Sequence, residues 1–317
     1  MVAIVSCHLT SSLNGLFFSF HIPLFFILAG FFFKEEPFTV LLKKSASRLL
    51  VPYIITCLAI FIIDLTISVL LHKPFSPYWI IASLYGSGST GHTSALFSDA
   101  PSIGAIWFLL ALFWCRLLFH VINKICPSKL YLLIICLCLS LFATYLDRVL
   151  INLPFAILPA TSALIFYCIG HIAKSISMDA VPNKALLAAM VLCWVIVIIL
   201  SHLSEIRLSV VRCFYKCYPL DVASAIGGTY LIYLLSSFLK RVSYIASPLS
   251  WIGRNSILFL CVHTVDLDLS LRQIIHINSG IIAILFTLVV CAIATIIFGK
   301  IPFFQKVFRI SNFEIST

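Results

Sequence analysis

GIIAILFTLVVCAIATIIFG, residues 280–299, runs for twenty residues without one charged side chain. A helix of that length rises about 30 Å, the thickness of a bilayer's hydrocarbon core. In lipid it needs no polar partner, because a helix satisfies its own backbone groups. Working outward from it, comparable apolar runs occupy 252–270, 218–238, 185–201, 154–172, 130–146, 104–122, 49–71 and 16–33. Met1–Cys7 is also apolar but too short to cross, and it reads as the last part of a helix whose beginning is missing. The expected fold is therefore all-α: a polytopic transmembrane helix bundle of about ten spans, the first apparently truncated. Residues 1–317 are expected to form one integral-membrane domain.

Composition agrees. Hydrophobic residues make up 62% of the chain and charged residues 10%, with a mean hydropathy of +1.14. A soluble domain carries about 25% charged residues, so this chain lacks the polar surface to live in water. Of twelve cysteines, Cys57, Cys136, Cys138, Cys193, Cys261 and Cys291 lie inside apolar runs, where cysteine serves as a small hydrophobe. Cys213 and Cys217 form the one pair near a loop that a helical turn could bring together. No second pair completes a ligand set, and no metal is expected.

The basic residues orient the spans. One set of alternate loops holds 14 Lys and Arg, among them Lys34, Lys43, Lys44, Arg48, Lys124, Lys300 and Arg309. The other set holds six, and Arg116 stays inside a span. The richer set should face the cytoplasm, with the C-terminus. These loops account for the net charge of +10, and no basic module suited to nucleic acid is visible. Met1–Cys7 has neither the basic leader nor the cleavage site of a signal peptide. Gly86-Ser-Gly88-Ser-Thr-Gly91 matches GxGxxG on paper, but it falls between membrane helices rather than in a βαβ unit, so it reads as a flexible loop. No phosphate-binding loop of the ATPase type is present.

Function must come from polar groups where they are expensive. An ionisable side chain at mid-membrane costs about 2.5–3.5 kcal/mol on insertion scales. His8 ends the first apolar run, residues 9–15 (LTSSLNG) form a polar turn, and His21 lies early in the next run. In a helical hairpin these two imidazoles sit at similar depth. His263 lies midway or beyond along a span that starts near Arg254, and it can converge on the same region. The bland alternative is a helix–helix hydrogen bond worth about 1 kcal/mol. Two histidines beside one turn favour a site, since imidazole is the usual base near neutral pH. Asp64, Arg116 and Asp221 could line a sugar pocket or pair with each other, and Tyr78, Trp79 and Tyr85 suit interfacial anchors.

Phe18-Ser-Phe-His21-Ile-Pro23 through Gly30-Phe31 resembles the second-helix signature of the acyltransferase 3 family, bacterial membrane-bound O-acyltransferases that include the fucose 4-O-acetylase-like group. Three further stretches are similar in order and spacing: Lys43-Lys44 through Arg48-Leu-Leu-Val-Pro52-Tyr53, Trp107 to Phe113, and Ile252-Gly253-Arg254-Asn255-Ser256 through His263. The resemblance covers nearly the whole chain. It implies a ten-helix enzyme of the bacterial inner membrane that takes an acyl group, usually acetyl, from acyl-CoA as co-substrate, with no tightly bound cofactor. The acceptor would be a hydroxyl of a cell-envelope carbohydrate or glycolipid. His8 matches the family's histidine and would act as base; His21 would assist the oxyanion. Arg48, Lys44 and Lys43 would hold the CoA phosphates, although positive-inside bias alone also explains them. His263, Trp107 and Asn255 are expected on the substrate side.

Two departures stand out. The family's arginine, about three turns before the first histidine, would precede Met1, and its small polar residue before Gly30 is here Ala29. A transporter or flippase of polysaccharide intermediates is the competing reading. It should show related halves and helices broken at mid-membrane, and no such symmetry is visible.

Overall fold

The structure is a computed structural model that describes residues 4–6, 17, 19–74, 76–88, 101–149, 153–175, 184–204, 210, 213, 217–268 and 280–311. Its elements are α1 (His21–Phe31), α2 (Phe38–Ser45), a π-helical turn (Ala46–Leu50), α3 (Val51–Leu70), α4 (Tyr78–Tyr85), a 3₁₀ turn (Gly104–Ile106), α5 (Trp107–Ile125), α6 (Lys129–Val149), α7 (Ile157–Ser162), α8 (Leu164–Ser175), α9 (Lys184–Ser204), α10 (Tyr218–Leu239), α11 (Ser243–Arg254), α12 (Ser256–Asp268), α13 (Gly280–Gly299) and α14 (Pro302–Phe308). An isolated bridge between Ser87 and Ser102 is the one β-pairing among the described residues.

The opening stretch, α13, shows how the bundle is solvated. Its buried residues are Ala283, Thr287, Cys291 and Thr295, one per turn. Its exposed residues include Ile281, Ile282, Leu285, Val289, Ile293 and Ile296. Small and hydroxylated side chains point inward and bulky apolar ones outward, the arrangement that lipid favours, since acyl chains are as apolar as leucine.

Helices approach most closely where glycine removes the side chain. A Cβ on Gly30 of α1 would stand 1.9 Å from the Tyr167 carbonyl oxygen of α8, and one on Gly170 of α8 would stand 1.9 Å from the Ile27 carbonyl oxygen of α1. The two glycines thus let α1 and α8 touch backbone to backbone. On another side, Phe25 and Phe26 of α1 set their rings 5.4 and 5.3 Å from Phe108 of α5. Ahead of α1, Ser19 Oγ accepts from Trp194 Nε1 at 2.9 Å, tying this segment to α9.

The expected count of about ten spans is not confirmed. Among the described residues six helices are long and apolar enough to cross, and the pair α11–α12, bent by 75° at Asn255, makes a seventh if it is one span. α1 has 11 residues, too few for a bilayer, whereas α9 is helical over the 21 residues Lys184–Ser204 and apolar from Ala185 to Leu200. The span expected at 252–270 is bent rather than straight. The one expected at 49–71 belongs to a continuous helix of 33 residues, Phe38–Leu70, which at about 50 Å is longer than the membrane is thick. Met1–Val2-Ala3 and Cys7–Leu16 lie outside the described residues, so the expected half-helix is represented only by the helical turn at 4–6.

The glycine-rich stretch is also more ordered than a flexible loop at its start. Gly86 ends α4 at φ 60°, and a Cβ on Gly88 would stand 2.1 Å from the Trp107 indole. Ile103 N donates to Ser87 O at 2.8 Å. Backbone therefore lies flat on Trp107, and only glycine fits there.

Candidate active site

The titratable groups separate into two ends of the bundle. At the end where α1 begins, α5 begins and α12 finishes, three ionisable groups within helices are buried. His21 is 2% exposed, His263 0% and Asp266 7%. His21 Nδ1 lies 2.6 Å from Phe17 O. A carbonyl only accepts, so Nδ1 carries the proton and the neutral ring keeps its lone pair on Nε2. That tautomer suits proton acceptance. His21 could donate to an oxyanion from Nε2 only as the imidazolium.

His263 sits on α12, which packs against α3, α13 and the 3₁₀ turn leading into Trp107. Trp107 is itself buried at 5% exposure, its indole 6.3 Å from Phe108. Phe108 also receives α1, so the helices bearing His21, Trp107 and His263 share one packed region. His8 lies outside the described residues. The turn just before it does not: Val5 is fully buried against Ala283, with Leu267, Ile284 and Leu288 around it. Leu267 is one helical turn beyond His263. The described turn at 4–6 is thus seated on α12 and α13.

Asp266 was not among the residues read from the sequence. It lies three positions after His263, on the same side of α12, and accepts from Thr287 Oγ1 of α13 at 3.5 Å. The available signal was an acidic residue inside an apolar run at helical spacing from a histidine.

At the opposite end the groups are many and mostly exposed. Lys43 and Lys44 close α2, and Arg48 lies on the π turn. Pro52 explains that turn: it has no N–H to give the Arg48 carbonyl, and its ring would strike it. The wider winding, with Val51 N bonded to Ala46 O, relieves both. Lys44 Nζ donates to Glu36 Oε1 at 2.5 Å, and this bond holds the Glu36 carboxyl below the usual carboxylate range. Lys43 is exposed. Asp64 and Arg116 do not pair; the charged neighbours of Arg116 are Glu36 and Arg48.

Asn255 is engaged in holding the C-terminal segment. Its Nδ2 donates to Trp251 O at 3.0 Å, Ser311 O at 3.2 Å and Ser311 Oγ at 3.1 Å, while Ser311 N donates to its Oδ1 at 2.9 Å. Trp251 Nε1 adds a bond to Ser311 O at 2.9 Å. Every polar atom of the amide is used at the bend between α11 and α12, which gives Asn255 a structural task. His120 and His171 face the Phe33 ring from two sides, at 6.3 and 5.6 Å. Tyr85 is buried at 2% exposure, unlike an interfacial anchor, whereas Tyr78 is exposed. Cys213 and Cys217 are both free thiols, and no three metal-binding side chains group together among the described residues.

A family model described as an acyltransferase domain matches residues 1–299. The chain belongs to the acyltransferase 3 family. It is a membrane acyltransferase, and its apolar helices are those of a multi-pass protein. No curated protein and no solved structure matches the chain. The match spans both ends of the bundle, so the acyltransferase comprises the buried histidines and the basic cluster alike.

Proposed function

We propose that this acyltransferase moves an acyl group, acetyl foremost, from acyl-CoA to a hydroxyl of a cell-envelope carbohydrate or glycolipid in the bacterial inner membrane. The ten-span arrangement, with the basic end and the C-terminus cytoplasmic, belongs to the same reading. The observation that carries it is the packing of Val5 with Ala283, Leu267, Ile284 and Leu288, which seats the turn at 4–6 on α13 and on α12, the helix that bears His263 and Asp266. Two buried imidazoles, His21 and His263, and the Asp266 carboxylate suit acyl transfer to an alcohol, with His8 as the third imidazole of the proposal.

The hydroxyl proton passes to His8 as the oxygen attacks the thioester carbonyl. The tetrahedral oxyanion draws on nearby donors, imidazolium His21 being one. When it collapses, the carbon–sulfur bond breaks and the CoA thiolate takes the proton from His8. His263 and Trp107 lie on the acceptor side, and Asp266 is placed to orient an imidazole. The basic end, with Arg48 at its rim, would hold the phosphates of the donor.

The test incubates membranes containing the protein with acetyl-labelled acetyl-CoA and envelope glycans, with His8→Ala alongside. Label reaching glycan only when His8 is present supports the reading. No transfer from folded wild-type protein with varied acyl donors and acceptors would sink it in favour of a transporter.

A further inference from the structure

We propose that Arg48, Arg116 and Arg309 form one organic-phosphate site at the basic end of the bundle. Neither Arg116 nor Arg309 belongs to the stretches that carried the family resemblance. The site rests first on how three elements meet. The π turn with Arg48 packs against α5, which bears Arg116, and against α14, whose C-terminal cap is Arg309. Arg48 has Arg309 and Arg116 as its charged neighbours of like sign and Glu36 as its acidic one. That carboxylate is already bound by Lys44 through Oε1. None of the three arginines forms an ion pair with a described residue, so the guanidinium groups are assembled without an anion of their own.

Such an assembly is costly unless an anion completes it. Arg116 Nε is sealed from solvent and has no hydrogen-bond partner, and an unmade bond of this kind costs about 1–3 kcal/mol. The backbone is also distorted at two of the three arginines. Arg48 lies on the π turn, and Arg309 adopts φ 52°, a left-handed conformation that non-glycine residues avoid. The Asn255 clamp grips Ser311, two residues past Arg309, and so fixes the chain from which that guanidinium projects. Arg48 and Arg309 are exposed and Arg116 is half-buried, which places two forks at a mouth and one inside.

Guanidinium forks match phosphate oxygens two at a time, and three of them suit a diphosphate or a phosphomonoester rather than a single carboxylate. Two sources share this chemistry: the nucleotide portion of acyl-CoA, in which case the site rests on the acyltransferase reading, and an anionic phospholipid headgroup, in which case it does not.

The experiment compares wild-type protein, Arg116→Gln, Arg309→Gln and Arg116→Lys in nanodiscs made with and without phosphatidylglycerol. Coenzyme A is titrated calorimetrically, phosphatidylglycerol retained through purification is measured, and thermal unfolding reports on folding. The expected result is coenzyme A binding weakened about tenfold in each glutamine variant, as loss of one charged hydrogen bond predicts, with partial recovery in Arg116→Lys and unfolding temperatures unchanged. Unaltered coenzyme A binding with reduced lipid retention would also support the site and assign it to the headgroup. If wild-type protein binds no coenzyme A, the donor reading fails and the lipid arm alone decides the site. Equal binding of both probes by wild type, Arg116→Gln and the surface variant Arg309→Gln would overturn the inference while leaving the acyltransferase reading intact.

Discussion

At the histidine end, His21, His263 and Asp266 are buried, and each stands within apolar helix. At the basic end, Lys43, Lys44, Arg48 and Arg309 are exposed, and charge gathers around Glu36, with Glu35 held by Asn123. Under the proposed function, the contrast follows from what each region would handle. Proton transfer to and from an alcohol gains from a dry, low-dielectric site in which few groups compete. Capture of a multiply charged anion needs many donors that solvent and ligand can reach. Gly30 and Gly170 hold α1 and α8 at backbone contact between them.

The strongest way to break this comparison is at the histidine end. His8→Ala should lower acetyl transfer by about 10²–10⁴-fold, the usual contribution of a general base, with coenzyme A binding unchanged by calorimetry. A fall in donor affinity instead would merge the two ends into one site. His263→Ala should follow, with kcat reduced by about tenfold to a hundredfold and KM for acyl-CoA preserved, since the proposed function puts it on the acceptor side. Loss of donor affinity there would contradict the division.

The frame between the ends is the next target. Gly170→Val puts side chain where the Ile27 carbonyl stands, and overpacking of this kind costs about 1–3 kcal/mol or more. Thermal unfolding in nanodiscs should shift downward, and transfer should fall in proportion to folded protein. Asn255→Ala should cost about 1–3 kcal/mol through the buried partners it leaves unpaired, and it should weaken coenzyme A binding by releasing the segment that carries Arg309. If donor affinity holds while stability falls, the clamp serves folding alone. The smallest effect belongs to Lys43→Ala: Lys43 is exposed, so coenzyme A affinity should change by less than about twofold, and mainly at low salt.

Much of the helical layout was legible along the chain. Each apolar run from 16–33 to 280–299 corresponds to helix in the described residues, because the length and hydropathy of a run act locally. Span number was harder. The 11 residues of α1 are framed by Phe and Leu that extend the apolar run beyond the helix, and the 75° bend at Asn255 depends on Ser311, 56 positions away. Site residues divided in the same manner. His21 and His263 stood out as ionisable groups in apolar surroundings. Asp266 gave the same signal but went unread, and Arg116 was seen inside a span without a reason for being there.

By itself the sequence determined that this is a helical membrane protein and, through the order of four motifs, which family it resembles. Hydropathy adds up residue by residue, and motif spacing is a property of the chain. Only the tertiary structure decided which groups meet: Val5 on α12 and α13, Asn255 on Ser311, and Arg116 and Arg309 beside Arg48. Those meetings depend on how each helix is rotated and how closely backbones approach at Gly30 and Gly170, which is set by packing among segments far apart in the chain.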